Sequence, residues 1–155
     1  MAVKKALLST TANSRQIGGD HYKSKYEHWD FVEDVGMGYL EGNATKYISR
    51  WRKKAGVQDL DKGLHYVDKL RELNKRSGKQ RRRNRITGGQ RLVDTCAERF
   101  CTANELQPTE RLIITLLTTW KDDADLLSAR TLLIGLTEGF RALSHMPSGK
   151  ARDSI

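Results

Sequence analysis

Apolar positions along this chain recur at intervals of three and four residues, the period of a helix with one buried face. No stretch alternates with the two-residue period of a half-buried strand. Phe31, Val32 and Val35 predict a short inward-facing helix from Trp29 to Val35, broken by Gly36 and Gly38. Tyr39, Leu40, Ala44, Tyr47, Ile48 and Trp51 then form one stripe of a longer helix, which Gly56 ends after Lys53-Lys54. A third helix begins near Gln58-Asp59 and buries Leu60, Leu64, Val67, Leu70 and Leu73. Asp59 falls in its first turn, where the helix dipole favours a carboxylate. Leu92, Val93, Cys96, Ala97 and Phe100 mark a fourth helix. Leu112, Ile113, Leu116, Leu117 and Trp120 mark a fifth, with Pro108 at its first position. Asp122 or Asp123 caps a sixth. That helix is expected to bury Leu126, Leu127, Leu133, Ile134, Leu136 and Phe140, and Met146-Pro147-Ser148-Gly149 ends it.

The expected fold is therefore all-α. A small helical bundle over residues 17–74 is followed by a basic linker, 75–91, and a second helical module, 92–146. A loose N-terminal arm, 1–16, and a tail, 147–155, flank them. The length of 155 residues fits one domain or two very small ones. No run of 18 apolar residues exists, so no membrane partner is expected. The Ala6-Leu7-Leu8 patch is too short for a secretory signal. Cys96 and Cys101 make no disulfide framework and lack C-x-x-C spacing. A cytoplasmic location follows as an expectation.

Charge changes this picture in one place. The net charge of +9 divides into +3 for residues 1–74, +8 for 75–91 and −2 for 92–155. The segment Lys75–Arg91 could hold the phosphates of a nucleic acid. It fits better a solvated linker, or a helix end whose cations oppose the dipole. No aromatic residue interleaves it to stack bases.

The more specific cations lie on helices. Asn43, Lys46, Arg50 and Lys53 are spaced three, four and three residues apart and share one helical side. Asp59, Lys62, Tyr66 and Lys69 share a face of the next helix. Two cations and an amide within a turn of each other suit a nucleotide phosphate. Lys54 and Lys62 add charge from the next turn and the next helix. His21, in the turn-rich Gly18-Gly19-Asp20-His21-Tyr22, titrates near neutral pH and suits proton exchange with a phosphate oxygen. The same spacing also describes a solvated face with salt bridges to Glu41 or Asp59. There is no G-x-x-x-x-G-K-[ST] loop. The spacing does not call for Mg²⁺; Glu33, Asp34 and Asp59 are the nearby acids for one.

Four blocks occur here in order: D-H-Y at 20–22, G-N-x-x-K-Y-x-x-R at 42–50, K-K at 53–54 and D-L-x-K-x-x-x-Y at 59–66. Together they resemble the small phage nucleotide kinase family of the T7 type, from His21 to roughly Leu73, about a third of the chain. The resemblance implies a helical nucleotide-binding domain. The implied reaction moves a phosphoryl group from a nucleoside triphosphate to a deoxynucleoside monophosphate such as dTMP or dGMP. His21, Lys46 and Arg50 carry over as catalytic residues. Tyr22, Asn43, Tyr47, Lys53, Lys54, Asp59 and Lys62 carry over as nucleotide- and phosphate-binding residues. A phage-encoded chain would work in the host cytoplasm. The departures are Trp51-Arg52 before the basic pair, the absence of a cysteine-rich N-terminal extension, and the added linker and C-terminal helices.

Two other readings stand beside it. A non-catalytic module would sequester nucleotides through the same face, or bind nucleic acid through residues 75–91. An all-α nucleoside triphosphate pyrophosphohydrolase would use Glu27, Asp30, Glu33 and Asp34, but the facing E-x-x-D that such enzymes need is missing. Trp29, Trp51 and Trp120 are aromatic surface that a homo-oligomer would cover.

Overall fold

The computed structural model describes residues 12–14, 24–77 and 89–146, and every regular element among them is helical. After a single 3-10 turn at Ala12–Ser14 come α1 (His28–Val35), α2 (Tyr39–Arg50), a 3-10 turn (Trp51–Lys53) and α3 (Val57–Arg76). They are followed by α4 (Gly89–Ala103), α5 (Pro108–Thr119) and α6 (Asp123–Ser144). Their boundaries follow from local chemistry. Gly36 adopts the left-handed conformation at φ 62° and returns its N–H to the Glu33 and Val32 carbonyls, which ends α1. Gly56, at φ 60° and ψ −140°, turns the chain from the 3-10 segment into α3 through backbone space that side chains disfavour. Pro108 opens α5, where the Glu110 carboxylate accepts the Gln107 N–H at 2.8 Å. Asp122 caps α6 by accepting from the N–H groups of Ala124 and Asp125.

The helices on either side of the basic segment, expected as two modules, share one core. α1 packs on α4, α2 on α5 and α3 on α6, while α2 and α3 lie against each other. Phe31 of α1 stacks on Phe100 of α4 at 4.4 Å with rings 6° from parallel. Trp51 meets the Phe140 ring of α6 edge-on at 4.5 Å. Ile48, Leu60, Val67 and Leu70 continue the core into Ile113, Leu117, Leu126 and Leu133.

Polar ties cross the same boundary. Glu110 is fully buried; its Oε1 accepts from Trp51 Nε1 at 2.6 Å and from Arg52 Nε at 2.8 Å. Trp120 Nε1 donates to Glu41 Oε1 at 3.3 Å, and the second Glu41 oxygen has no hydrogen-bond partner among the described residues. Nearer the surface Arg71 pairs with Asp123, Arg130 with Asp68 and Arg141 with Asp61.

Several expectations are corrected here. Trp51 and Trp120 are buried rather than held at the surface for a partner; Trp29 alone of the three stays half-exposed. Tyr39, placed on the apolar stripe of α2, is 73% exposed. Leu112 and Leu127 also face outward. The buried arc of α5 runs through Ile113, Ile114 and Leu117, and that of α6 through Leu126, Ala129 and Leu133. Adjacent residues stand about 100° around a helix, so Leu112 and Leu127 fall off those arcs. Lys75 and Arg76 belong to the last turn of α3, where Arg76 pairs with Glu72 at 2.8 Å. Gly89–Arg91 already belong to α4. The remainder of the basic segment, the N-terminal arm apart from 12–14, and the tail lie outside the described residues. No helix among the described residues is long and apolar enough to cross a membrane.

Glu110 ties three donors together with no water around it. Replacing it by alanine leaves the Trp51 indole N–H buried without an acceptor. We expect Glu110→Ala to lower stability by about 3 kcal/mol, read as a fall in the urea midpoint at unchanged slope.

Candidate functional site

The site grows from the short connection between α2 and α3. The 3-10 turn and Gly56 fold the chain back so that Arg50, at the end of α2, faces Asp59 in the first turn of α3. Asp59 is fully buried. Its Oδ2 accepts from Arg50 Nε at 3.1 Å, and its Oδ1 lies 3.4 Å from Lys62 Nζ, one turn further along α3. A carboxylate without water needs such partners to stay ionised. The expected phosphate-binding role of Asp59 is thereby recast, since it faces inward to two cations and positions both.

Both cations, together with Lys46, converge on one aromatic ring. The Arg50 guanidinium carbon lies 4.7 Å from the centroid of Tyr47, Lys46 Nζ 5.1 Å and Lys62 Nζ 5.5 Å. The negative face of an aromatic ring attracts cations at such distances. The ring of Tyr66, from α3, lies nearly parallel to Tyr47 at 5.8 Å and 18°. Tyr39, the first residue of α2, meets Tyr66 edge-on at 6.2 Å. The neighbouring Tyr39 phenol raises the Tyr66 pKa.

His28 backs the site from α1. Its Nε2 and the Thr45 hydroxyl are 2.9 Å apart. Burial pushes its pKa down, and the charges of Lys46 and Arg50 push it further, to about 4. His28 is therefore neutral at physiological pH, beside a cluster with three cations and one carboxylate.

The structure gathers Lys46, Tyr47, Arg50, Asp59 and Lys62, and gives Asn43 and Lys53 partners elsewhere. The Asn43 amide donates to the Tyr39 carbonyl one turn back, at 2.8 Å. Lys53 turns towards Glu105, 3.9 Å away in the α4–α5 connection. Lys54 is exposed beyond the 3-10 turn. His21 and Tyr22 lie outside the described residues. The acids of the pyrophosphohydrolase reading are engaged apart from one another. Asp34 accepts from the Tyr26 hydroxyl, Asp30 from Asn13, and Glu33 is exposed. Among the described residues no three His, Cys, Asp or Glu side chains gather into a metal-binding group.

The periodicity of the sequence placed Tyr39 among core residues and gave no part to His28. One signal for the tyrosine cluster was present: all five tyrosines fall between Tyr22 and Tyr66.

Residues 17–68 match the model of a family described as protein of unknown function (DUF3310). The match covers α1, α2 and the first twelve residues of α3, and with them every member of the cation–tyrosine cluster. No curated protein and no solved structure matches the chain.

The His28 environment gives a pH signature. Its pKa is about 4 when folded and about 6.5 when unfolded, so below pH 6.5 the unfolded chain binds a proton that the fold excludes. Stability from this group is complete above pH 6.5, falls as the pH drops towards 4, and is then lower by up to about 3 kcal/mol. Urea midpoints measured between pH 7 and pH 4 should fall more steeply for the native chain than for His28→Gln. Equal slopes would show that His28 is not held neutral.

Proposed function

We propose that this protein binds nucleotides through the Lys46–Arg50–Lys62 cluster and transfers a phosphoryl group from a nucleoside triphosphate to a deoxynucleoside monophosphate. One observation carries the reading. Three cations meet on the Tyr47 ring, and among the described residues one buried carboxylate, Asp59, lies with them. Like charges held this close repel each other, and a bound phosphate relieves the repulsion. Among the described residues Lys46 has no carboxylate partner, so its ammonium is the cation best placed to meet a ligand. The sequence blocks shared with the phage nucleotide kinases supply the choice of reaction.

Such a transfer depends mainly on alignment and charge neutralisation, which a lysine–arginine face provides without a phosphate loop. A phosphate oxygen of the monophosphate attacks the terminal phosphorus of the donor. The bond to the bridging oxygen breaks, and two diphosphates leave. Lys46 and Lys62 neutralise the oxygens that gain charge, and Arg50 orients them from its fixed place against Asp59. His21 takes the role of proton acceptor at the attacking phosphate. Mg²⁺, when bound with the donor, would add further neutralisation of the phosphate oxygens. A binding module that only sequesters nucleotides would use the same cations and differs in having no turnover.

The test is to incubate the full chain with ATP and each deoxynucleoside monophosphate and to look for the diphosphate product. Lys46→Ala and Lys62→Ala, checked by circular dichroism, should each weaken nucleotide binding roughly 10-fold or more. Arg50→Ala is a poor probe, since it strands the buried Asp59 carboxylate and unfolding would follow. Product formation that Lys46→Ala abolishes supports the proposal. Binding without product reduces it to sequestration, and absence of binding overturns it.

A further inference from the structure

The cations account for the anionic end of a ligand, but they leave Tyr39 unexplained. An aromatic side chain exposed to 73% at the head of a helix gains little from burial. It is nonetheless held in place, with its edge against Tyr66 at 6.2 Å and 72° between the rings. Tyr66 is fixed in turn by its parallel contact with Tyr47 and by the edge of His65 at 6.4 Å. The rings therefore run in order from the cations outwards: Tyr47, which carries Lys46, Arg50 and Lys62, then Tyr66, then Tyr39. Tyr47 is occupied by its cations and by Tyr66. The open aromatic surface is at the far end, on Tyr39 and the adjoining part of Tyr66.

From this order we infer that Tyr39 and Tyr66 form a stacking shelf for a planar heteroaromatic base, so that the ligand of the cation cluster is a nucleoside monophosphate rather than a bare phosphate or pyrophosphate. The inference rests on the phosphate-binding reading of Lys46, Arg50 and Lys62 given above. A nucleotide carries a charged end and a flat end separated by a sugar, and the site presents cations at Tyr47 and an open ring at Tyr39 with Tyr66 between them. Stacking tolerates any base, because each has a π-face. The shelf thus supplies affinity for the base without dictating which base. A single-stranded nucleic acid would use the same two elements. The mononucleotide is favoured because the cations gather at one ring instead of tracking along a groove.

Calorimetric titration of the full chain with dGMP, with inorganic pyrophosphate and with a short single-stranded oligodeoxynucleotide separates the possibilities. Tyr39→Leu should weaken dGMP binding roughly 10-fold while leaving pyrophosphate binding unchanged, and Tyr66→Leu should weaken dGMP binding at least as much. Tyr39→Phe, which keeps the ring, should retain dGMP binding. In the native chain the Tyr39 ring-proton resonances should move upfield with dGMP and stay in place with pyrophosphate. If Tyr39→Leu and Tyr66→Leu bind dGMP as the native chain does, the shelf is overturned while the phosphate site stands. If the native chain binds neither dGMP nor pyrophosphate, the phosphate-binding reading itself fails. Oligonucleotide binding far tighter than dGMP, lost in Tyr39→Leu, would replace the mononucleotide with a nucleic acid strand.

Discussion

Asp59 is a carboxylate with no access to water, and the arrangement of α2 and α3 is organised around that fact. Burial of an isolated carboxylate costs several kcal/mol, so this acid must have cations at hand. It takes one from the end of α2 and one from its own next turn. The N-terminal end of α3 adds the favourable pole of its dipole. The connection between the helices is accordingly short, and the left-handed Gly56 lets it close. Since Arg50 and Lys62 are each held by Asp59, their positions over Tyr47 are fixed before any ligand arrives. Pre-placed charge of this kind is what a polyanion site needs, because it costs no rearrangement on binding.

The same use of buried acids recurs where the two halves of the chain meet. Glu110 of α5 gathers the Trp51 indole, the Arg52 guanidinium and a backbone N–H at one end of the α2–α3 connection. Glu41 receives the indole of Trp120 near the start of α2. Each acid draws a large aromatic residue into the core and gives its N–H a partner, which tryptophan requires when buried. The helices following the basic segment are thus the backing of the α2–α3 pair, and both ends of α2 depend on them.

Much of this was legible in the sequence. Helix periods, glycine breaks, Pro108 and the Asp122 cap marked six elements that the structure contains, because helix termini are set by local backbone chemistry. The alignment of Lys46 with Arg50 followed from helical spacing, and so did that of Asp59 with Lys62. A salt bridge from that cation face to Asp59 was among the expectations, and Arg50 makes it at 3.1 Å; the burial of the pair was not legible. It depends on how α2 crosses α3, which no single-helix pattern encodes. Asp59 was legible as a helix-start acid, and only its burial revealed that it faces two cations. Tyr39 and Trp120 misled in opposite directions. The apolar stripe of α2 included Tyr39, which is exposed, and Trp120, though on the apolar pattern of its helix, was also counted as partner-facing surface and is buried; neighbouring helices decide which arc is covered. His28 gave no sequence signal because its environment comes from α2 and from Phe100 of α4.

The order of helix pairing bears on when the site becomes complete. Each of the first three helices finds its partner three helices later, and the ties span about half of the chain: Glu41 to Trp120 is 79 residues, Asp61 to Arg141 is 80. Ribosomal synthesis proceeds from the N-terminus, so the tyrosines and cations emerge well before the helices that back them. In that interval Trp51 and the apolar side of α3 have no cover. The emerging segment exposes apolar surface during that interval, and the cation–tyrosine cluster gains its backing only when α5 and α6 arrive. Contacts of such sequence separation also slow folding, because the loop must close before they form.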